Sequence, residues 1–306
     1  MSYTAQKGQA LLIRAQRGQA LLIILLVMAV ILTVALSVVS RSVTDITISQ
    51  KEESAARAYS AAEAGIERSL LSGSGVTDSI GADGQFISTV TGLANNSREY
   101  IVPLLMSSGE TTPVWFVGHN AQTQIECSAS FPCFTGNSLS VCWGEEGTQS
   151  STPTTPALEV SILYITTNDF STARIARAVF DPYDARPDNN GFTKGSEGAC
   201  IIGNKNFAFS KSLDFASLGI TVRNSAIELR GPQTTRLKLL YNTDRAHSVG
   251  MTITSQEGTF PQQGNKVEST GTSGDSSRKI EVYQLYPDLP PVFDYGIFAG
   301  TGGITK

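Results

Sequence analysis

The sequence predicts an α+β fold: a long N-terminal helix, first apolar and then amphipathic, carrying a head domain of mainly antiparallel β-sheet. Three observations predict it. Residues 20–39 carry no charge, residues 41–71 combine helix-forming composition with a helical apolar period, and the chain from Val76 onward alternates polar and apolar residues in short runs divided by turn chemistry.

The first element is a basic leader, residues 1–18. Gln6-Lys7-Gly8-Gln9-Ala10-Leu11-Leu12-Ile13 returns as Gln16-Arg17-Gly18-Gln19-Ala20-Leu21-Leu22-Ile23, but only the second copy runs on into apolar sequence; the first is stopped by Arg14. From Ala20 to Val39 only Thr33 and Ser37 are polar, and fourteen of the twenty residues are Leu, Ile or Val. As a helix this run covers roughly 30 Å, the hydrocarbon thickness of a bilayer. Its insertion free energy sums to about −6 kcal/mol. Residues 19–40 are therefore expected to cross a membrane once. A cleaved secretory signal has a shorter apolar core, and the small-residue pattern Ala35-Leu36-Ser37 is embedded within this one. Lys7, Arg14 and Arg17 precede the run, while Asp45, Glu52 and Glu53 follow it, which puts the N-terminus in the cytoplasm and residues 41–306 outside.

The second half of the helix is expected over 41–72. The segment "SAARAYSAAEAGIERSLL" is rich in strong helix formers. Ala55, Ala58, Ala62, Ile66 and Leu70 (or Tyr59, nearby) recur at three- or four-residue steps, and Glu53 precedes Arg57 by four residues. Gly65 is an interior cost, and the stop is the "SGSG" of residues 72–75. One continuous helix from about residue 20 to 71 results. Its lipid half has no packing partner within its own chain, so that half packs on lipid or on other subunits.

A basic leader ending in Gly, then "QRGQALLIILLVMAVILTVALSVVSRS" (16–42) and "AYSAAEAGIE" (58–67), resembles the type IV pilin class. The similarity is to the N-terminus of PilX-type minor pilins and of the related K-type minor pseudopilins of type II secretion. The resemblance implies cleavage by a prepilin peptidase after Gly18, leaving Gln19 as the new N-terminus. A cut after Gly8 would instead carry Arg14 into the bilayer, at a cost of about 2.5–3.5 kcal/mol or more. Major pilins carry a Glu at the fifth mature position, and here that position is Ile23. Its absence favours a minor, initiating or tip-located subunit. The implied partners are other pilins, the prepilin peptidase, the pilus assembly platform and the membrane. A second reading is a permanently anchored surface adhesin, which needs no cut at Gly18.

The head, residues 76–306, offers "SLSVCW" (138–143), "LEVSILYIT" (158–166), "RLKLLYNT" (236–243) and "GMTITSQ" (250–256) as strands. "EYIVPLL", "VWFVGH", "RIARAVFD", "GITVRNSAIELR" and "KIEVYQLY" are further candidates. "GTQSSTPTTP" (147–156), "DPYDARPDNNG" (181–191) and "STGTSGDSSR" (269–278) are expected loops, with a subdomain boundary near 147–157. Cys127, Cys133, Cys142 and Cys200 all lie in this exported part. An even count outside the cytoplasm favours two disulfides; three connectivities are open, and proximity points to Cys127–Cys133 with Cys142–Cys200. Zinc is the competing use, with His119 and His247 available, but no C-x2-C pair occurs. Asp181, Asp184 and Asp188, beside Asn189 and Asn190, are a calcium candidate, although turns require the same residue types.

Chemistry is otherwise sparse. Two histidines, no G-x-S-x-G, no H-E-x-x-H and no phosphate-binding glycine loop predict a protein that is not an enzyme. Against 27 acidic residues stand 23 Lys and Arg, a net charge of −4 without a basic stripe, so no nucleic-acid partner is expected. No other cofactor is implied.

Overall fold

The computed structural model describes residues 7–81, 83–186 and 191–288, with side chains from Gln19 onward. The fold is α+β, one long helix followed by mainly antiparallel sheet. The chain divides into two compact units, the first comprising Met1–Thr89 with Glu268–Ile280, the second Val90–Val267 with Glu281–Lys306.

The first unit is built on α1 (Lys7–Ser72). This helix starts about a dozen residues before the expected position, inside the leader. No proline occurs before Pro103, and Gly8 and Gly18 each cost only about 1 kcal/mol against helix-forming Gln, Ala, Leu and Arg. The helix ends where expected: Gly73 takes φ +67°, and its N–H donates to the Ser69 carbonyl at 2.9 Å.

Beside the helix lies a four-stranded sheet in the order β1 (Thr77–Ile80), β2 (Gly84–Gly92), β15 (Gly264–Ser273), β16 (Ser276–Leu285). The expected loop at 269–278 is mostly strand. Only Gly274 and Asp275 turn between β15 and β16, with Gly274 at φ +53°. Ser269, Gly271 and Ser273 are small because they face the helix, not because the chain loops there.

The apolar stripe of α1 is met through Ala58, Ala62 and Ile66, joined by Ala61, but Leu70 is exposed and Ser69 is buried in its place. Ser69 Oγ lies 2.6 Å from Ser88 Oγ, and Ser88 Oγ in turn accepts from the Val76 N–H. A Cβ on Gly65 would stand 2.2 Å from Ser269 Oγ and 2.7 Å from Phe86 Cδ2; one on Gly271 would stand 2.1 Å from the Ala58 carbonyl oxygen. The glycine read from sequence as a cost is what lets helix and sheet approach. Glu53 pairs with Arg57 at 2.6 Å, and Arg57 also reaches Asp83 at 3.1 Å.

The second unit holds β3 (Glu99–Ile101), β4 (Thr111–Trp115), β5 (Gly118–His119), β6 (Ile125–Glu126), β7 (Ser138–Glu145), β8 (Ala157–Ile165), β9 (Ala173–Asp181), β10 (Thr193–Lys194), β11 (Cys200–Ile202), β12 (Lys205–Asp214), β13 (Gly231–Leu240) and β14 (Val249–Ile253). Two five-stranded sheets run β10-β9-β8-β13-β4 and β11-β12-β7-β14-β3, with β10 and β9 parallel. Both sheets feed one core. Leu139, Val141 and Trp143 of one share it with Leu158, Val160, Ile162, Leu237 and Leu239 of the other. Residues 147–156 connect β7 to β8 across that common core, so the chain does not divide at 147–157 as expected. Trp143 Nε1 donates to the Pro156 carbonyl at 2.8 Å, fixing the connection to the core it crosses.

"GITVRNSAIELR" (219–230) is not a strand. Its Leu229 carbonyl accepts from the Gln233 side chain and from the buried Arg223 guanidinium, which also donates to the Phe116, Phe134 and Pro232 carbonyls.

Candidate functional site

The candidate site with the clearest physical signature is the apolar half of α1. Every Leu, Ile, Val and Met from Leu21 to Val39 is between 48% and 67% exposed, and none of the described residues covers the run. The run is long and apolar enough to cross a membrane. Thr33, one of its two polar residues, donates its hydroxyl to the Val30 carbonyl at 2.8 Å, so that group is satisfied without water. Gly18 and Gln19 lie within the helix, and Ile23 is an exposed aliphatic residue in the apolar run. Beyond the run, Val43, Ile46 and Ile48 remain about half exposed, and burial of one helix face begins only near Ser54. Thr44 and Thr47 again turn their hydroxyls back to the helix, onto Ser40 and Val43.

The four cysteines stand in two disulfides, Cys127–Cys133 and Cys142–Cys200. The first closes six residues beside the β5–β6 hairpin, where the Gly118 N–H donates to Cys133 Sγ at 3.1 Å. The second ties β11 to β7. No free thiolate is left for zinc. His119 is packed against Trp115 and Tyr286 at ring-centroid distances of 4.8 and 4.0 Å, and His247 Nδ1 accepts from the Glu145 N–H.

The calcium candidate contains charges of its own. Asp181 is fully buried; its Oδ1 accepts from Arg186 at 2.6 Å and its Oδ2 lies 3.7 Å from Lys194 Nζ. Arg186 also donates to the Pro153 and Thr155 carbonyls and lies 3.8 Å from the Tyr241 ring. A carboxylate already matched to a guanidinium and an ammonium is unsuited to a divalent cation. Asp184 is exposed in the following turn, and Asp188 lies outside the described residues. Among the described residues no group of three or more His, Cys, Asp or Glu is placed to hold a metal. No local pattern of residues signals that Arg186, five residues on, returns to Asp181.

The nearest approach to a nucleophile and base is Ser248, His247 and Glu145. Ser248 Oγ donates to Glu145 Oε1 at 2.6 Å, and His247 Nδ1 is engaged with the Glu145 amide at 3.1 Å. Serine and histidine thus both address Glu145 rather than each other, and both are buried. Burial raises the Glu145 carboxyl, but the Ser248 hydroxyl and amide and Lys205 outweigh it and hold the group below its ordinary value. That arrangement locks β7 to the start of β14. Comparison with protein-family models, curated proteins and solved structures finds no match to this chain.

Proposed function

We propose that the protein is a minor pilin or pseudopilin, a structural subunit that is incorporated in, or primes, a type IV pilus-like filament. One observation carries the reading: an uncharged apolar run, open along its whole length, on a helix whose far end packs one face against a β-sheet. Such a surface has two stable surroundings, lipid and a bundle of similar helices. The precursor is then a single-pass protein of the cytoplasmic membrane, N-terminus inside and head outside, with its basic leader facing the peptidase. Processing falls after Gly18. Glycine is the residue least committed to a helix there, so local unwinding for cleavage is cheapest at that point. Without a carboxylate at Ile23 the subunit has no acid to offer a neighbour's terminal amine. That suits a tip or priming position better than the body of a filament.

N-terminal sequencing of the protein from sheared surface filaments tests this. The expected result is a chain beginning at Gln19. A chain retained in the envelope with Met1 intact overturns the reading and supports a permanently anchored adhesin.

A further inference from the structure

We infer that the free edge of β9 is a docking site for an extended acidic segment of a partner protein, which adds to the sheet as a further strand. β8 pairs with β9 from Ala173↔Ile165 to Phe180↔Leu158. On the other side β10 covers only Phe180 and Asp181. The Ala173 N–H is taken by the Phe170 carbonyl of the preceding turn, and among the described residues nothing pairs with that edge over 174–179. Six residues of strand present about 20 Å of backbone whose outward N–H and C=O groups can template a new strand.

The opposite edge of the same sheet is covered at the Trp115 end of β4. There the Gln263 side chain accepts from the Trp115 N–H at 2.7 Å and donates to the Trp115 carbonyl at 2.8 Å, standing in for a neighbouring strand. Among the described residues no side chain does the same for β9.

The side chains along the edge select the partner. Arg174 is paired across the ladder with Tyr164 and Arg177 with Ser161, so the two arginines flank the edge on opposite faces. Residues 173–179 include no acid, and Arg177 alone meets a carboxylate, Glu159 at 3.0 Å. Ile175, on the Arg177 face, is 67% exposed. Pairing of β9 with β9 of a second copy sets arginine against arginine, which is destabilising across adjacent strands. A strand carrying carboxylates three residues apart, with an apolar residue opposite Ile175, meets both charges and covers the isoleucine. This inference rests on the sheet edge alone and is independent of the role proposed for the helix.

The test uses the full chain in detergent micelles and a capped peptide of sequence Thr-Val-Glu-Thr-Val-Glu-Thr-Val, against the same peptide with Lys for Glu. The acidic peptide is expected to bind about tenfold tighter, from two charge pairs changed in sign. Amide exchange should slow within 174–179 on binding, and the double variant R174E/R177E, with an unchanged urea midpoint, should prefer the lysine peptide. Equal affinities, an unchanged preference in the variant, or protection elsewhere overturns the proposal. So does protection of 174–179 without peptide, whether from the chain's own remaining residues or from a second copy at high concentration.

Discussion

Arg223 is 3% exposed and donates to four main-chain carbonyls, those of Phe116, Phe134, Leu229 and Pro232, at 2.6 to 3.3 Å. Burial lowers its pKa to about 10, which leaves it charged at neutral pH. Its five N–H donors in a fixed fork are the reason an arginine stands here. Arg223→Met takes the guanidinium from all four, although Phe116 keeps the Phe134 N–H and Leu229 the Gln233 side chain, and it is expected to reduce unfolding free energy by about 3 kcal/mol in urea titration. Arg223→Lys, with a single ammonium, should recover only part. His119 makes a second case at this scale. Burial holds its pKa down to about 4, against 6.5 for an ordinary imidazole, and a hydrogen bond with Val117 offsets only part of this. The unfolded chain takes up a proton near pH 6.5 that the folded one refuses, so stability is lost as pH falls from about 6.5 towards 4. The Glu145 carboxyl acts in the same direction, its stabilisation present above its ordinary value and lost below it. His119→Phe keeps an aromatic ring against Tyr286 and cannot be protonated. Its urea midpoint should vary less than wild type between pH 6.5 and 4, and equal slopes would remove His119 from the account.

Elements legible in the sequence were those in which burial and residue type agree. The helix, the ladder strands β7, β8 and β9, and the two cysteine pairs all follow from apolar period, composition or position. β2, β12 and β15 escaped notice, although each has nine or ten residues. Their buried positions include Gly84, Ser88, Ser210, Ser269, Gly271 and Ser273, small polar residues that read as turn chemistry. In β2 and β15 they are small because an alanine-rich helix face lies against them, a fact of tertiary contact that no local window contains. That reading makes a prediction. Gly271→Val places a branched side chain where even a Cβ meets the Ala58 carbonyl and the Ala62 amide, and Gly65→Ala meets Ser269 and Phe86. Each is expected to cost about 1–3 kcal/mol from overpacking, the valine the more. Val43→Ala, on an exposed part of the same helix, should change stability little. The Cys142–Cys200 disulfide closes a separation of 58 residues between β7 and β11. Its replacement by serines should lower stability by about 4 kcal/mol from the freed entropy of the unfolded loop. Scanning calorimetry of the oxidised protein and the double serine variant measures the difference.

Taken whole, the molecule separates two kinds of apolar surface. Trp143, Phe116, Phe134 and Leu158 are sealed inside the second unit, whereas Leu21 to Val39 are left open. A chain that buries one set so completely leaves the other exposed only where its surroundings are not water. Depth within the run then decides what a charge costs. Ile31 is near the middle of the uncharged stretch, and an aspartate there costs about 2.5–3.5 kcal/mol at a bilayer centre. Ile23 lies near the leader end, where the penalty falls off and a carboxylate reaches the interface. Ile31→Asp is therefore expected to shift a large share of the chain out of the carbonate-resistant membrane fraction and to deplete it from sheared filaments. Ile23→Glu should stay in the membrane at the wild-type level. On the proposed role the chain assembles without a carboxylate at that position, so Ile23→Glu should also enter filaments at least as well as wild type. Two outcomes sink this account. If Ile31→Asp anchors as firmly as wild type, residues 19–40 are not the span; if Ile23→Glu anchors normally but is excluded from filaments, apolar packing at position 23 is itself part of docking.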